Sequence, residues 1–400
     1  MLNFFAANVR AVNAHRAMLE ALEAATGTTT PALDLVLINA AVGHDLLALS
    51  QAVQEQCPSA RVLAASCAGV VGPSGPGESI HDVAILGVQG EGIIVSQVTG
   101  LVGETSYEKG VQLARGLADT PHPVTMVYLL ASGIDIANDQ VLAGMESVLG
   151  PDVVVFGATS SDQMQGVATY QAIDGVLDQH AAFAVGFWDP TLTVVSQATH
   201  GFLAVGEPMT VTASSGNRVI SLDGEPAWPA YLARMGLPST ATEADTIPIG
   251  ALAEELSPQL AEEYGNPHIL RVVTHHSEDG EIIYAVDCPV GTRLWLTVRD
   301  EDRIFADMDR MLAAMDLPDV APVAVFQADC LARGRRLFQR VMKEELVQRM
   351  QEPFVFDGQV PPWFGMYGFG EYAQLGGHNA YHNYTTALAA LYRRDASGIG

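Results

Sequence analysis

The chain has 400 residues, of which 48% are hydrophobic and 16% charged, and its 46 acidic and 20 basic side chains give a formal net charge of -26. This length exceeds one ordinary core and sets an expectation of two domains of roughly 150 to 200 residues. The charge argues against nucleic acid and anionic membrane surfaces as partners, because their phosphates would be repelled.

The N-terminal stretch Met1-Leu-Asn-Phe-Phe-Ala-Ala lacks the basic start, apolar middle and cleavage site of a secretory signal. No apolar run reaches the roughly 18 residues of a membrane span, so a soluble cytoplasmic protein is expected. Apolar residues at helical intervals from His15 to Ala25, stopped by Gly27 and a Thr-Thr-Thr-Pro run, assign residues 1–30 to a helix and linker. Leu33 to Ala41 has the composition of a strand, and Asp45 is placed to cap a helix carrying Leu46, Leu47, Leu49 and Val53. A second strand over Arg61 to Ala65 and a small-residue turn at Ser66-Cys67-Ala68-Gly69 complete a strand-helix-strand unit.

The unit recurs. Val124 to Ala131 predicts a strand, Asp135 a cap, the region through Val141 and Met145 a helix, and Val153 to Ala158 a strand ending in Thr159-Ser160-Ser161-Asp162. Val95-Ser-Gln also returns as Val195-Ser-Gln, so residues 31–100 and 124–201 are taken as an internal duplication. A weaker third echo has a strand from Val323, a long helix from Leu331 through Met350, and an aromatic strand leading to Gly370-Glu371.

That last strand opens the stretch Phe364 to Thr385, with five glycines, one acid and two histidines in 22 residues. Such a loop, like Ser66-Cys67 and Thr159-Ser160, would gather at the carboxyl ends of strands, where open α/β sheets place ligand sites; the alternative is a tightly packed turn. Between the second and third echoes, Gly216-Asn217 and Asp223-Gly224 signal hairpin turns, Glu278 to Glu281 signals another, and Ser239 to Glu263 is polar and acidic. The expected fold is α/β, with duplicated strand-helix-strand units forming mixed sheets and a second α/β domain, divided near residue 224.

These residues resemble the FIST family. The resemblance is carried by Ala64-Ala-Ser-Cys-Ala-Gly-Val-Val-Gly-Pro-Ser-Gly, Leu222-Asp-Gly-Glu-Pro-Ala, Cys330-Leu-Ala-Arg-Gly, Tyr367-Gly-Phe-Gly-Glu and His382-Asn-Tyr-Thr, and it runs from about residue 31 to 390. It implies a FIST N-terminal part over 31–224, a FIST C-terminal part over 225–400, and the sensing of a small ligand in signal transduction. With no output domain attached, the signal would pass to a separate partner, such as a sensor histidine kinase of a two-component system or a cyclic-dinucleotide enzyme. By similarity to the stand-alone members, haem with nitric oxide is the first candidate ligand. A metabolite such as an amino acid, or an enzyme recruited onto the fold, are the alternatives, and the enzyme is the weaker of the two. The family's Gly-Cys-Ser/Thr-Thr is replaced here by Ala65-Ser66-Cys67-Ala68, which puts ligand contacts at Ser66 and Cys67 in question.

Several side chains are candidates for the chemistry. Haem needs an axial imidazole, and His200 interrupts the repeat, where Val-Thr-Gly becomes Ala-Thr-His-Gly; a hydrogen-bonded structural histidine is the alternative. His378 and His382 are four apart, yet Gly376-Gly377 before them argues against a ligating helix. His275 and His276 would point to opposite faces of a strand. Arg333 can clamp a carboxylate bidentately or pair with Glu371, and Tyr367 can add a phenol or simply pack. Ser66, Cys67, Thr159 and Ser160 are expected to line the same pocket. Cys67 as a nucleophile would need a base nearby, and Val70-Val-Gly-Pro-Ser-Gly-Pro provides no helix after it. No metal site is expected, and the four cysteines, with no CxxC spacing, are read as free thiols.

Overall fold

The computed structural model describes residues 1–28, 32–163, 165–315, 319–333 and 340–394. One pattern accounts for most of the chain, three times over: strand, helix, strand, helix, strand, hairpin, strand. The first unit is β1 (Asn3–Arg10), α1 (Ala14–Thr26), β2 (Leu35–Ala41), α2 (Leu46–Gln56), β3 (Arg61–Cys67), the hairpin β4 (Val70–Gly72) and β5 (Gly75–Gly77), and β6 (Asp82–Gln89). The second is β7 (Ile93–Val98), α3 (Ser106–Leu117), β8 (Met126–Ala131), α4 (Asn138–Leu149), β9 (Val154–Thr159), the hairpin β10 (Gln171–Ile173) and β11 (Val176–Asp178), and β12 (Ala182–Phe187).

The third unit opens with β13 (Leu192–Thr199) and is then interrupted by an insert. The insert holds β14 (Phe202–Ser215), β15 (Arg218–Leu222), β16 (Glu225–Pro226), α5 (Ala227–Met235), α6 (Glu243–Thr246), β17 (Leu252–Glu255), α7 (Pro258–Tyr264), β18 (His268–Arg271), β19 (His275–His276), β20 (Ile282–Ile283) and β21 (Arg293–Arg299). The unit resumes with α8 (Glu301–Ala314), β22 (Ala324–Cys330), α9 (Arg340–Gln351), β23 (Trp363–Gly368), the hairpin β24 (Glu371–Leu375) and β25 (His378–His382), and β26 (Thr386–Arg393). The insert strands form their own sheet of eight, in the order β18-β17-β21-β14-β15-β20-β19 with β16 on β15.

Within each unit the first strand pairs antiparallel with the last, the last antiparallel with the second, and the second parallel with the third. The hairpin joins a neighbouring unit instead of its own. β10 extends the first unit's sheet through β3, β24 extends the second unit's sheet through β9, and β4 extends the third unit's sheet through β23. Three six-stranded sheets are thus linked in a ring of exchanged hairpins, each hairpin covering an edge that would otherwise be unpaired.

The parallel strands are mostly apolar, as burial on both faces demands; all seven residues of β2 are buried. Their outer faces carry the helices, with Met18, Leu49 and Val53 of α1 and α2 packed on Val36 and Val62. Their inner faces meet in one core, which includes Leu37, Leu63, Phe156 and Phe364. There the Tyr128 ring of the second unit lies 5.3 Å from Phe326 and 6.0 Å from Phe364 of the third. No helix among the described residues is long and apolar enough to cross a membrane.

Most expected strands are present within a residue or two, and Val95-Ser-Gln and Val195-Ser-Gln fall on the equivalent strands β7 and β13. Other expectations are corrected. Residues 3–10, read as part of a helix-and-linker leader, form β1, paired along its full length with β6. Asp135 is a left-handed residue at φ 57°, and the position before α4 is Ala137, whose amide donates to Ser106 Oγ at 3.0 Å. Residues 331–333 form a turn where a helix was expected, residues 334–339 lie outside the described residues, and α9 begins at Arg340. The stretch 364–385 is no loop: it supplies most of β23, all of β24 and β25, and the turn at Gly376-Gly377. Glu278 to Glu281 closes a hairpin between β19 and β20, while β18 pairs with β17. Residue 224 lies in the turn between the paired strands β15 and β16.

Candidate functional site

The ends of the three parallel pairs meet and hydrogen-bond across units. Ser161 Oγ, just past β9, donates to Tyr367 O at 2.7 Å and accepts from Ala68 N at 2.9 Å. Thr159 N donates to Gly370 O at 2.9 Å, and Ala68 N donates to Tyr367 O at 3.1 Å. Close approach explains Gly370, where a Cβ would fall 2.0 Å from the Tyr381 hydroxyl. The sequence thus brings small residues to three strand ends because three segments of the chain must pass each other there.

Beside this junction lies a buried polar cluster. Arg333, in the turn after β22, is fully buried and donates from Nε to His200 O at 3.2 Å. Its Nη1 is 3.5 Å from Asp329 Oδ2, and neither Nη has a hydrogen-bond partner among the described residues. Glu371, fully buried at the start of β24, has no partner for either oxygen among the described residues. His382 pairs with it across β24 and β25 and has no partner for either ring nitrogen. Asp329 Oδ1 likewise has no partner among the described residues; buried polar groups are nearly always partnered, so orphaned atoms on four neighbouring residues are a signal of function.

Electrostatics sharpens it. Burial, opposed by the Arg333 charge, raises the Asp329 carboxyl to about 6. Burial and then the Asp329 charge push Glu371 well above the usual carboxyl range, although the Thr385 amide and Cys330 thiol beside it favour the ionised form without hydrogen-bond geometry. One guanidinium faces two carboxyls in a low dielectric, and the cluster retains a proton. Burial, and then the Arg271 charge, lower His382 to about 3.

The neutral imidazoles make the fold acid-sensitive. Unfolded histidine titrates near 6.5, whereas folded His382 and His200 do so at about 3. The unfolded chain therefore takes up these protons first, and the stability from neutral burial, complete above about pH 6.5, is lost as pH falls toward 3. Asp329 acts oppositely between about pH 4 and 6, where the folded state holds its proton. His382→Phe is expected to reduce the pH slope of the unfolding free energy between pH 6 and 4 by about 1.4 kcal/mol per pH unit. Urea titrations of both proteins test this, and parallel slopes would show that His382 is not held neutral.

The other candidates are distributed as follows. His200 is buried; Phe202 N donates to its Nδ1 at 3.0 Å, and its Nε2 lies 3.0 Å from His268 O, so Nε2 carries the proton. Both nitrogens are engaged, and the adjoining cavity between Thr199 and Tyr264 measures about 120 Å³. His200 as placed does not fit an axial haem ligand. Thr159 and Ser160 are fully buried and serve the frame, Ser160 Oγ accepting from Gln171 Nε2 at 2.8 Å. Cys67 and Tyr367 are packed in the core, and all four cysteines are free and buried. No set of three or more His, Cys, Asp or Glu among the described residues could hold a metal ion.

Ser66 faces elsewhere, lining a separate cleft of about 600 Å³ at the ends of β2 and β3. Its hydroxyl donates to Ser161 O at 3.1 Å and accepts from Tyr170 N at 2.9 Å. Thus Arg333 and Glu371 share the buried cluster, Thr159 and Tyr367 frame it, and Ser66 lies outside it. Sequence reasoning missed Asp329, although it immediately precedes the Cys330-Leu-Ala-Arg motif, and it judged His382 only as a metal ligand.

Residues 34–225 match the sequence model of the FIST N domain, and residues 231–374 match that of the FIST C domain. Among solved structures, cyanuric acid hydrolase from A. caulinodans is similar over 98% of this chain and 100% of its own, at 11% identity and a TM-score of 0.35, a likeness too slight to carry an argument. No curated protein matches the chain.

Proposed function

This chain belongs to the FIST family, whose domains are small-ligand sensors in signalling, and from that premise we propose that it senses a small zwitterion of the amino-acid type at the buried junction of its three units. Arg333 would face the ligand's carboxylate, while Asp329 and Glu371 would face its ammonium. The observation that carries this reading is a set of buried polar atoms with no hydrogen-bond partner among the described residues: both Nη of Arg333, Oδ1 of Asp329, both carboxyl oxygens of Glu371 and both ring nitrogens of His382, on side chains all within 1% of complete burial. Leaving such groups unpaired costs several kcal/mol, and a ligand with one anionic and one cationic end relieves both signs together.

The closed junction suits a sensor. A ligand can enter only when the strand ends part, so its binding favours the conformation that admits it, and that population shift is the signal. A separate partner, with a histidine kinase or a cyclic-dinucleotide enzyme implied by the family, would read it. Haem is set aside because His200 uses both ring nitrogens. Burial raises the Cys330 thiol well above its ordinary range, which disfavours a thiolate nucleophile at that residue.

Glu371→Gln keeps the shape of the neutral carboxyl and removes its ability to ionise toward an ammonium. It is expected to lower amino-acid affinity about tenfold or more while leaving the thermal midpoint unchanged or raised. Calorimetric titration of an amino-acid panel against both proteins tests the reading. An amino acid that binds the variant as tightly as the wild type would remove Glu371 from the site.

A further inference from the structure

The open cleft is built from different chemistry. Its floor is Ala40 and Ala41 at the end of β2 with Ser66 of β3, one wall is the first turn of α2, and the other is the segment leading from β9 to β10. Its volume, about 600 Å³, is that of a small-molecule site.

We infer that this cleft is a second binding site, taking an organic cation with an apolar body. Leu46, Leu47, Val167 and Leu177 supply the apolar lining. Two carboxylates, Asp45 and Asp162, line it too, and no lysine or arginine is among the described lining residues. Asp45 caps α2 through Oδ1 alone, accepting from Leu47 N at 2.9 Å and Ala48 N at 3.3 Å. His44 adds no positive charge: burial lowers its pKa, and its Nε2, 3.1 Å from His81 O, is the donor, which leaves Nδ1 as an acceptor. Asp162 is bonded through both oxygens to the amides of Gln165, Gly166 and Val167, which leaves Asp45 as the more open carboxylate; with two carboxylates and no described cation in the lining, and a net charge of -26, the cleft favours cations over anions.

Comparison between units shows that the space is not a by-product of the repeat. In the second unit the equivalent position beyond β8 is Gly133, where a Cβ would fall 1.9 Å from Ser160 O and 2.7 Å from the Phe369 ring. The place is filled by that aromatic side chain. In the first unit Gly43 holds the equivalent place, where a Cβ would fall 2.4 Å from Ile80 O, but the residue before it, Val42, is 39% exposed where its counterpart Ser132 is 1% exposed, and the cleft remains open beside Val42. The same frame therefore closes one strand-end cavity and keeps another.

The test compares 4-phenylbutylamine with 4-phenylbutyrate, which share an apolar body and differ in charge, by calorimetry and ligand-detected NMR. Saturable binding of the amine is expected at about tenfold or greater preference over the acid. Ala168→Arg, which places a bulky cation in the cleft, should abolish it, with circular dichroism confirming an unchanged fold. Asp45→Asn, which preserves the helix cap, should weaken it about threefold, as suits an exposed charge pair. Glu371→Gln should leave it intact, separating this site from the buried junction. Equal binding of acid and amine, amine binding unaffected by Ala168→Arg, or no saturable binding up to about 10 mM would each overturn the assignment.

Discussion

Arg333→Ala is expected to abolish amino-acid binding and to lower the unfolding free energy by about 3–5 kcal/mol at neutral pH. The guanidinium is fully buried, and it is the cation that holds Asp329 to about 6 against the effect of burial. Without it, Asp329 must either stay ionised in a low dielectric or take up a proton at a pH where the unfolded chain would not hold one. Either route costs stability, and the variant also forfeits the Nε bond to His200 O.

The sign of the pH dependence separates this from simple loss of packing. Once Arg333 is gone, the folded-state pKa of Asp329 rises further. The penalty is then largest above that value and shrinks as pH falls, because below about 6 the carboxyl of the folded wild type is protonated as well. Urea unfolding at pH 7.5 and pH 5 should therefore show a smaller difference between variant and wild type at the lower pH. A difference independent of pH would assign the effect to a cavity, and a loss below about 1 kcal/mol would mean the charge is already compensated in solution.

Deletion of Met1–Arg10 is expected to prevent folding outright. β1 pairs eight residues with β6, buries Leu2 completely, and seats Phe4 5.8 Å from the Phe187 ring of the second unit. Burial of two such side chains contributes about 3–6 kcal/mol, comparable with the whole stability of many domains. The deletion also turns β6 into an exposed apolar edge open to association. Asp189, 3% exposed, would lose the Leu2 N bond at 3.0 Å. Soluble yield and thermal unfolding by circular dichroism provide the measurement. A soluble variant that unfolds cooperatively near the wild-type temperature would show that the pairing of β1 with β6 is not needed for folding.

That contrast marks where local reading fails. Phe-Phe-Ala-Ala-Asn-Val offers no clean alternation, so nothing in β1 itself announces a strand; it is one because β6 presents an edge to it. The central strands need no such partner to be recognised. β8 is a continuous apolar run, β2 is one but for Asn39 and β22 opens as one at Ala324-Val-Phe, and Asp45 was readable as a helix cap because capping is settled within three residues. Phe364 to Thr385 misled for the opposite reason: its glycines suggested a loop, yet Tyr367 and Tyr372 between them are strand residues, and the Gly376-Gly377 pair makes the turn between β24 and β25.

The candidate site was legible in part. Arg333 and Glu371 could be paired from their motifs, but Asp329 and His382 could not be joined to them, because burial and lost hydrogen bonds are properties of the packed state. His200 was conspicuous as a break in a repeat, and only its two hydrogen bonds show that its nitrogens are occupied.

By itself, the sequence determined that there are repeated strand-helix-strand units, because strand and helix periodicity and capping act over a few residues. Only the tertiary structure decided that each unit hands its hairpin to a neighbour, as when Val71 of β4 pairs with Gly365 of β23. It alone decided which strand-end cavities are filled, and which carboxyl keeps its proton. The physical reason is the same for all three: each depends on which surfaces meet in space, and the residues that meet are separated along the chain by far more than any local preference can span.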